Sequence, residues 1–176
     1  DQTVDCFAVT IDNSSGNKID YFLDLKVDYS VEVARNSNEV RGMVSITAAN
    51  SSPSSGLPDY VIGNMVGLPR GSNQMLISIH SRLGYVRSTD PTDNLDWWFS
   101  SEQGHNVSSV YVDVPPGETV NLTVDLGGSL DLSNGYSLTF RNPAAVRPWS
   151  TSINLIEDGK ETQLKNSAEA GHWLLP

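Results

Sequence analysis

The residues with the most obvious chemistry in this sequence are three carboxylates in one short segment. Asp90, Asp93 and Asp96 stand three apart in STDPTDNLDWW, directly before two tryptophans. Several carboxylate oxygens in a flexible loop are ligands that Ca²⁺ prefers. The segment therefore predicts a calcium site, and calcium is the one cofactor the sequence indicates. The alternative is that these aspartates only cap turns and solvate the loop.

The tryptophan pair, Trp97 and Trp98, predicts a ligand-binding surface. A flat indole ring stacks on a sugar ring or anchors a protein partner. Because consecutive residues of a strand face opposite sides, one ring can lie in the core while the other is exposed. The alternative is that both rings pack beneath a long loop. Trp149 and Trp173 are expected to be packing residues.

No pattern typical of a catalytic centre is present. His80, His105 and His172 do not stand in H-E-x-x-H or H-x-H spacing, and no G-x-S-x-G element occurs. The single cysteine, Cys6, excludes an internal disulfide and has no histidine near it in sequence. We therefore predict a protein that is not an enzyme.

Charge and composition narrow the class of partner. The formal net charge of −10 disfavours a nucleic-acid partner, because phosphate backbones are repelled. No apolar run reaches the roughly 20 residues needed to span a bilayer. A protein or glycan partner, or self-association, is expected instead.

Four sequons of the form N-x-S/T are candidate glycosylation sites. With the hydroxyl-rich composition they favour an extracellular or cell-surface protein. They begin at Asn13, Asn50, Asn106 and Asn121.

Alternating apolar and polar residues predict an all-β protein. The clearest run spans residues 23–33, and similar runs bring the total to about eight strands. One-sided alternation is typical of antiparallel sheets, so we predict an immunoglobulin-like antiparallel β-sandwich with two long loops, formed by one domain over residues 1–176. Helix is expected only as a single turn around Asp93–Phe99 or near Ala168.

The segment PPGETVNLTVDLGGSLDLSNGYSLTF, residues 115–140, is interpreted as two strands of one hairpin. It resembles a stretch of the β-sandwich pro-region of deuterolysin-type secreted metalloproteases. The resemblance rests on Pro116-Gly117 before Val120, on Asp125-Leu126, and on the D-L-S-x-G-x-Y pattern that ends at Tyr136. It implies an accessory domain without the enzyme, because no zinc-binding H-E-x-x-H occurs.

The function predicted from these patterns is a non-enzymatic extracellular module that binds a ligand or builds a surface, adhesive or filament structure. Strand addition by the N-terminal strand to a neighbouring subunit is one route to assembly. Two alternatives stay open. One is a protease-directed inhibitor or pro-region-like chaperone, using the proline-stiffened loop 53–74. The other is a carbohydrate-binding module using an exposed tryptophan.

Overall fold

The computed structural model of the chain describes residues 4–34, 36–89, 95–141, 147–157 and 159–164, together with the backbone of 165–166 and 171–175. These residues form twelve strands in two sheets that pack as a sandwich. The strands are β1 (Val4–Asn13), β2 (Leu23–Ala34), β3 (Glu39–Asn50), β4 (Asn73–Ser81), β5 (Gly84–Thr89), β6 (Trp97–Glu102), β7 (His105–Val114), β8 (Thr119–Ser129), β9 (Tyr136–Arg141), β10 (Ser150–Glu157), β11 (Lys160–Asn166) and β12 (Gly171–Leu175).

Each sheet contains six strands and one parallel pair. The first sheet has the order β12-β9-β1-β4-β7-β6, and the second has the order β11-β10-β2-β3-β8-β5. β1 runs parallel to β9, and β2 runs parallel to β10, while the remaining neighbours are antiparallel. The all-β sandwich is confirmed, with two mixed sheets rather than purely antiparallel ones.

Alternation in sequence becomes alternation in burial. Along β2, the odd-numbered positions from Leu23 to Val33 are buried, and the residues between them are exposed or half-buried. The buried faces of the two sheets meet in aromatic contacts, because Phe7 of the first sheet stacks on Tyr29 of the second at 4.0 Å between ring centroids. Trp149 is also buried in this core, as predicted for a packing residue.

Four strands were not predicted from the sequence, and they are the outermost strands of both sheets. β5, β6, β11 and β12 have a neighbour on one side only within the described residues. An edge strand is partly solvated on both faces, so it need not alternate; in β6 every residue after Trp97 is exposed. The helical turn predicted around Asp93–Phe99 is therefore wrong from Trp97 onward, and Ala168 lies outside the described residues.

The segment 115–140 is not a hairpin. β8 belongs to the second sheet and β9 to the first, so the two strands do not pair. The connection crosses the core through buried Leu130 and Leu132. It then turns at Gly135, whose φ of 89° suits glycine. The segment therefore ties the two sheets together.

The N-terminal strand lies inside the first sheet. β1 is hydrogen-bonded to β4 on one side and to β9 on the other. Both of its edges are occupied, so strand addition to a neighbouring subunit through β1 is not compatible with this fold.

The predicted long loop after β3 is present, and hydrogen bonds hold it against the sandwich. Residues 51–72 contain one helical turn, α1 (Asp59–Ile62), and the chain before β2 contains a 3-10 turn, Ile19–Phe22. Buried Asn50 donates to the carbonyl oxygens of Gly71 at 2.7 Å and Val114 at 2.9 Å. Within the described residues, no helix is long and apolar enough to cross a membrane.

Candidate functional site: the outer face of the first sheet

The two adjacent tryptophans face opposite sides of β6. Trp97 lies opposite Val110 on the core side, packs against the hydrophobic core and donates from Nε1 to the Ser88 hydroxyl at 3.0 Å. Trp98 lies opposite Ser109 on the outer side and is 49 % exposed. The sequence left open whether these rings lie in a loop or on a strand, and the structure places both on β6. A strand fixes the direction of the exposed indole more firmly than a loop does.

Trp98 has an aromatic neighbour on the same outer face. Its ring contacts Tyr111 of β7 edge to face, with centroids 5.1 Å apart. Tyr111 is itself 43 % exposed. Edge-to-face contact orients both rings while leaving their remaining surface open to solvent. We name this pair the aromatic corner.

A row of hydroxyl side chains crosses the sheet from the aromatic corner. Ser109 lies beside Trp98, Ser78 lies beside Ser109, and Thr10 lies beside Ser78. The hydroxyls of Ser78 and Ser109 are 2.8 Å apart. Neighbouring strands are about 4.8 Å apart, so the row spans roughly 14 Å. Because these hydroxyl side chains are small, the outer face along the row lies lower than the neighbouring indole ring of Trp98.

The far end of this row opens into a groove of about 440 Å³. Its floor is formed by outward-facing side chains of β1, β4 and β9, and the hairpin that joins β6 to β7 forms one wall. The groove residues that carry polar or reactive groups are Cys6, Thr10, His80, Glu102, His105 and Arg141.

Positive charge in the groove is not neutralised by ion pairs of the described residues. The exposed Arg141 ends β9 opposite Ala8 and takes part in no ion pair within them. His80 and His105 enter from β4 and β7 and are half-buried. Burial raises the pKa of the Cys6 thiol, an effect that the nearby guanidinium of Arg141 opposes. The thiol is therefore uncharged near neutral pH.

One wall of the groove is a two-residue turn in which Gln103 has a positive φ, which is unusual for glutamine. Glu102 pairs with His105 across the hairpin, and Gln103 and Gly104 between them have φ of 49° and 79°. Two positive φ values are typical of a type I′ turn, where asparagine or aspartate usually precedes the glycine. Gln103 thus occupies a left-handed conformation that costs free energy for its residue type, at a position that lines the groove.

A buried carboxylate lies beneath the groove, on the core side of β1. Asp5 is fully buried and accepts hydrogen bonds from the hydroxyls of Tyr136 at 2.6 Å and Tyr29 at 3.2 Å. Burial raises the pKa of Asp5, and these two hydrogen bonds oppose the rise. Tyr136 is the last residue of the D-L-S-x-G-x-Y pattern, so this pattern places a tyrosine hydroxyl in the core.

The predicted calcium ligands are mostly outside the described residues. Asp90 and Asp93 lie outside them, while Asp96 is exposed directly before β6. The part of the chain that the structure describes has no group of three or more His, Cys, Asp or Glu side chains able to hold a metal ion. Calcium binding by Asp90, Asp93 and Asp96 stays a prediction.

The four sequons occupy different surroundings. Asn106 and Asn121 are exposed on strands, although Asn106 donates to the Arg82 carbonyl and the Asn121 side chain accepts from Thr47. Asn13 is half-buried and donates to Asn17 and Asp20. Asn50 is only 2 % exposed, and its amide group holds the long loop. In the folded chain Asn50 is therefore the least accessible glycan acceptor of the four.

Local sequence did not reveal the groove. Cys6, His80 and Arg141 are far apart in the chain and meet only because β1 pairs with both β4 and β9. The outward phase of His80 on its strand was visible in the alternation. The strand order that brings these residues together was not.

No protein-family model matches the sequence, and no curated protein is similar to it. Among solved structures, the chain is similar to an M1 zinc metallopeptidase from Deinococcus radiodurans, at 15% identity and a TM-score of 0.40 over 77% of this chain and 32% of that one. It is also similar to a putative nutrient binding protein from Legionella pneumophila, at 10% identity and a TM-score of 0.46 over 86% of this chain and 54% of that one.

The chain thus spans about a third of the length of that metallopeptidase and about half of the other protein. At these identities the similarity concerns the fold, and the activity of neither protein is transferred to this chain. The resemblance to deuterolysin-type pro-regions receives no support from these comparisons.

Proposed function

We propose that this chain is a non-enzymatic binding module of a secreted or cell-surface protein, and that it holds a glycan against the outer face of its first sheet. The observation that carries the proposal is the half-exposed Trp98, oriented by Tyr111 and standing at one end of a hydroxyl row that leads into a groove. An open aromatic face next to hydrogen-bonding groups suits a sugar ring, which has apolar faces and a polar rim.

Glycan binding is tested on an oligosaccharide array and by calorimetry, comparing wild type with Trp98→Ala. Removal of a central aromatic anchor weakens binding by about 30-fold or more. Met43→Ala is the matched control, because Met43 is 46 % exposed on a strand of the second sheet. This control is expected to bind like wild type. Equal binding by Trp98→Ala and wild type to every glycan that binds contradicts the proposal.

A second candidate function is self-association through β6, which is favoured by one observation. β6 ends the first sheet, pairs only with β7 among the described strands, and carries Phe99 at 59 % exposure on its core-side phase. An edge strand with exposed aromatic side chains is a template for pairing with a second copy.

Sedimentation velocity over a wide concentration range tests self-association. Dimers should form as concentration rises, and Phe99→Lys should abolish them because a charge at the edge opposes pairing. Purely monomeric behaviour at high concentration removes this candidate and leaves the glycan proposal untouched.

A further inference from the structure

The groove at the end of the hydroxyl row differs from the rest of the outer face in its charge. We propose that it binds the acidic group of an oligosaccharide, a carboxylate or a sulfate, through Arg141 together with His80 and His105. This inference rests on the proposed function, because it places the neutral part of the same ligand along the row toward Trp98. It adds a chemical class, acidic glycans, and a second subsite.

Arg141 is the centre of the subsite. Its guanidinium offers five N–H donors in a planar fork that matches an oxyanion with two oxygens. The side chain is exposed and forms no ion pair within the described residues, so none of their carboxylates competes with a ligand for its donors. A charge-assisted pair of this kind is about twice as strong as a neutral hydrogen bond.

The two histidines bring further donors from separate strands. His80 faces outward opposite Ala8, the same residue that lies beside Arg141. His105 begins β7 and lines the groove from the hairpin side. Each imidazole ring carries an N–H group that can donate a hydrogen bond to an anion.

Negative charge in the groove is limited to one side chain of the described residues. Glu102 lines it, and the Cys6 thiol is uncharged near neutral pH. β1 carries one outward-facing acid, Asp12, which is four residues beyond Ala8, or about 13 Å along the strand. The net charge of −10 acts weakly beyond about 8 Å at physiological salt. Local charges therefore decide what binds.

A metal ion does not explain the cluster. Cys6, His80, Glu102 and His105 are all described residues, and no group of three or more such side chains in the described part of the chain could hold a metal. The groove is also too large for one ion, since its volume of about 440 Å³ falls in the range of small-molecule pockets. Its Thr10 belongs to the row that ends at Trp98, so the two subsites are continuous.

The inference is tested by calorimetry with three oligosaccharides of equal length. One is neutral, one contains a uronic acid and one is sulfated, so the comparison shows whether the groove prefers a carboxylate or a sulfate. Wild type should bind at least one acidic ligand about tenfold more tightly than the neutral one. Arg141→Gln should remove this preference, so that this variant binds the acidic and the neutral ligands with equal affinity. Glu102→Gln should strengthen acidic binding by about threefold, because it removes the opposing charge.

Arg87→Gln is the matched control, because Arg87 is an exposed arginine on the second sheet, paired with Asp125. It should bind all three ligands like wild type. Equal affinity of wild type for acidic and neutral ligands overturns the inference, as does equal weakening by Arg141→Gln and Arg87→Gln. Should Trp98→Ala leave neutral binding intact, the proposed function fails by itself.

Sodium sulfate alone supplies an independent readout by NMR. The backbone amide signals of His80 and His105 should shift on titration in wild type and not in Arg141→Gln. If these shifts occur while no oligosaccharide binds, the anion subsite stands without the glycan. If neither shifts nor oligosaccharide binding occur, both proposals are wrong.

Discussion

The outer faces of the two sheets carry their charged side chains in different ways. On the second sheet, Lys26 pairs with Asp28, Arg41 with Glu39 and Arg87 with Asp125, and Arg147 from the segment before β10 pairs with Asp24 of β2. On the first sheet, Arg141 has no such partner among the described residues, and it stands on the face that carries an exposed indole.

Under the proposed function, this difference separates a solvated face from a face that binds a ligand. Charged side chains that already form ion pairs on a sheet surface gain little further free energy from contact with a ligand. Cationic groups without an acidic partner, beside an open aromatic ring, keep their capacity to interact. The contrast between the faces supports the proposal that the first sheet is the binding side.

The largest effect is expected at the aromatic corner. The double variant Trp98→Ala with Tyr111→Ala should lose about as much ligand-binding free energy as Trp98→Ala alone, roughly 2 kcal/mol, while Tyr111→Ala alone should lose about 1 kcal/mol. Since the two rings touch, the losses should not add, and calorimetry on the full double-mutant cycle measures their coupling. Strict additivity would show that Tyr111 does not orient Trp98.

The next effect concerns the stability of the strand that carries the groove floor. Burial raises the pKa of Asp5 in the folded chain, so protonation favours folding. The stability contributed by Asp5 is therefore complete below its ordinary pKa of 3.8 and is lost as the pH rises through the raised folded pKa.

Asp5→Asn should remove this pH dependence. Urea unfolding at a series of pH values from about 4 to about 7 should show wild type losing stability relative to Asp5→Asn as the pH rises. Met43→Ala should follow the wild-type profile, since Met43 is exposed on the other sheet. Parallel profiles for wild type and Asp5→Asn would contradict the assignment.

Smaller effects are expected from the ion pairs of the second sheet. Arg87→Gln should lower the free energy of unfolding by less than about 1 kcal/mol, and the difference should shrink in high salt. The measurement is chemical denaturation at low and high ionic strength. A salt-independent loss well above this limit would show that the paired face contributes more than solvation.

The smallest effect is expected on the alkylation rate of the single cysteine, Cys6. Because Cys6 lines the groove, this rate reports directly on a ligand bound there. Alkylation of Cys6 by a small maleimide should be slow at neutral pH and accelerate only at a pH above that needed by a free thiol, because burial raises its pKa. Denatured chain serves as the reference. An acidic oligosaccharide should slow the reaction further; unchanged rates with saturating ligand would place that ligand elsewhere.

Much of the fold was predictable because interior strands bury one face. β2 and β8 alternate clearly, and their runs predicted both their existence and their inward side chains. The edge strands β6 and β11 were not predicted, since solvent on both faces removes the requirement to alternate. The parallel pairs were also missed, because nothing local in β1 specifies β9 as its neighbour.

The candidate site was predictable only in part, for the same reason. The opposed directions of Trp97 and Trp98 follow from strand geometry alone. The meeting of Cys6, His80 and Arg141 depends on register across three strands, which no spacing within one segment encodes. The buried role of Asn50 was hidden as well, because an N-S-S sequon resembles an ordinary surface turn.

The pairing of early strands with late ones has a consequence for how the chain matures. β1 is completed by β9, and β2 by β10, so β1 has no second neighbour until Arg141 has been made, and β2 has none until Glu157 has been made. Contacts this distant in sequence form slowly, over milliseconds to seconds. During synthesis, β1 and β2 therefore each keep one unpaired edge, and unpaired strand edges of this kind make a folding chain prone to aggregation.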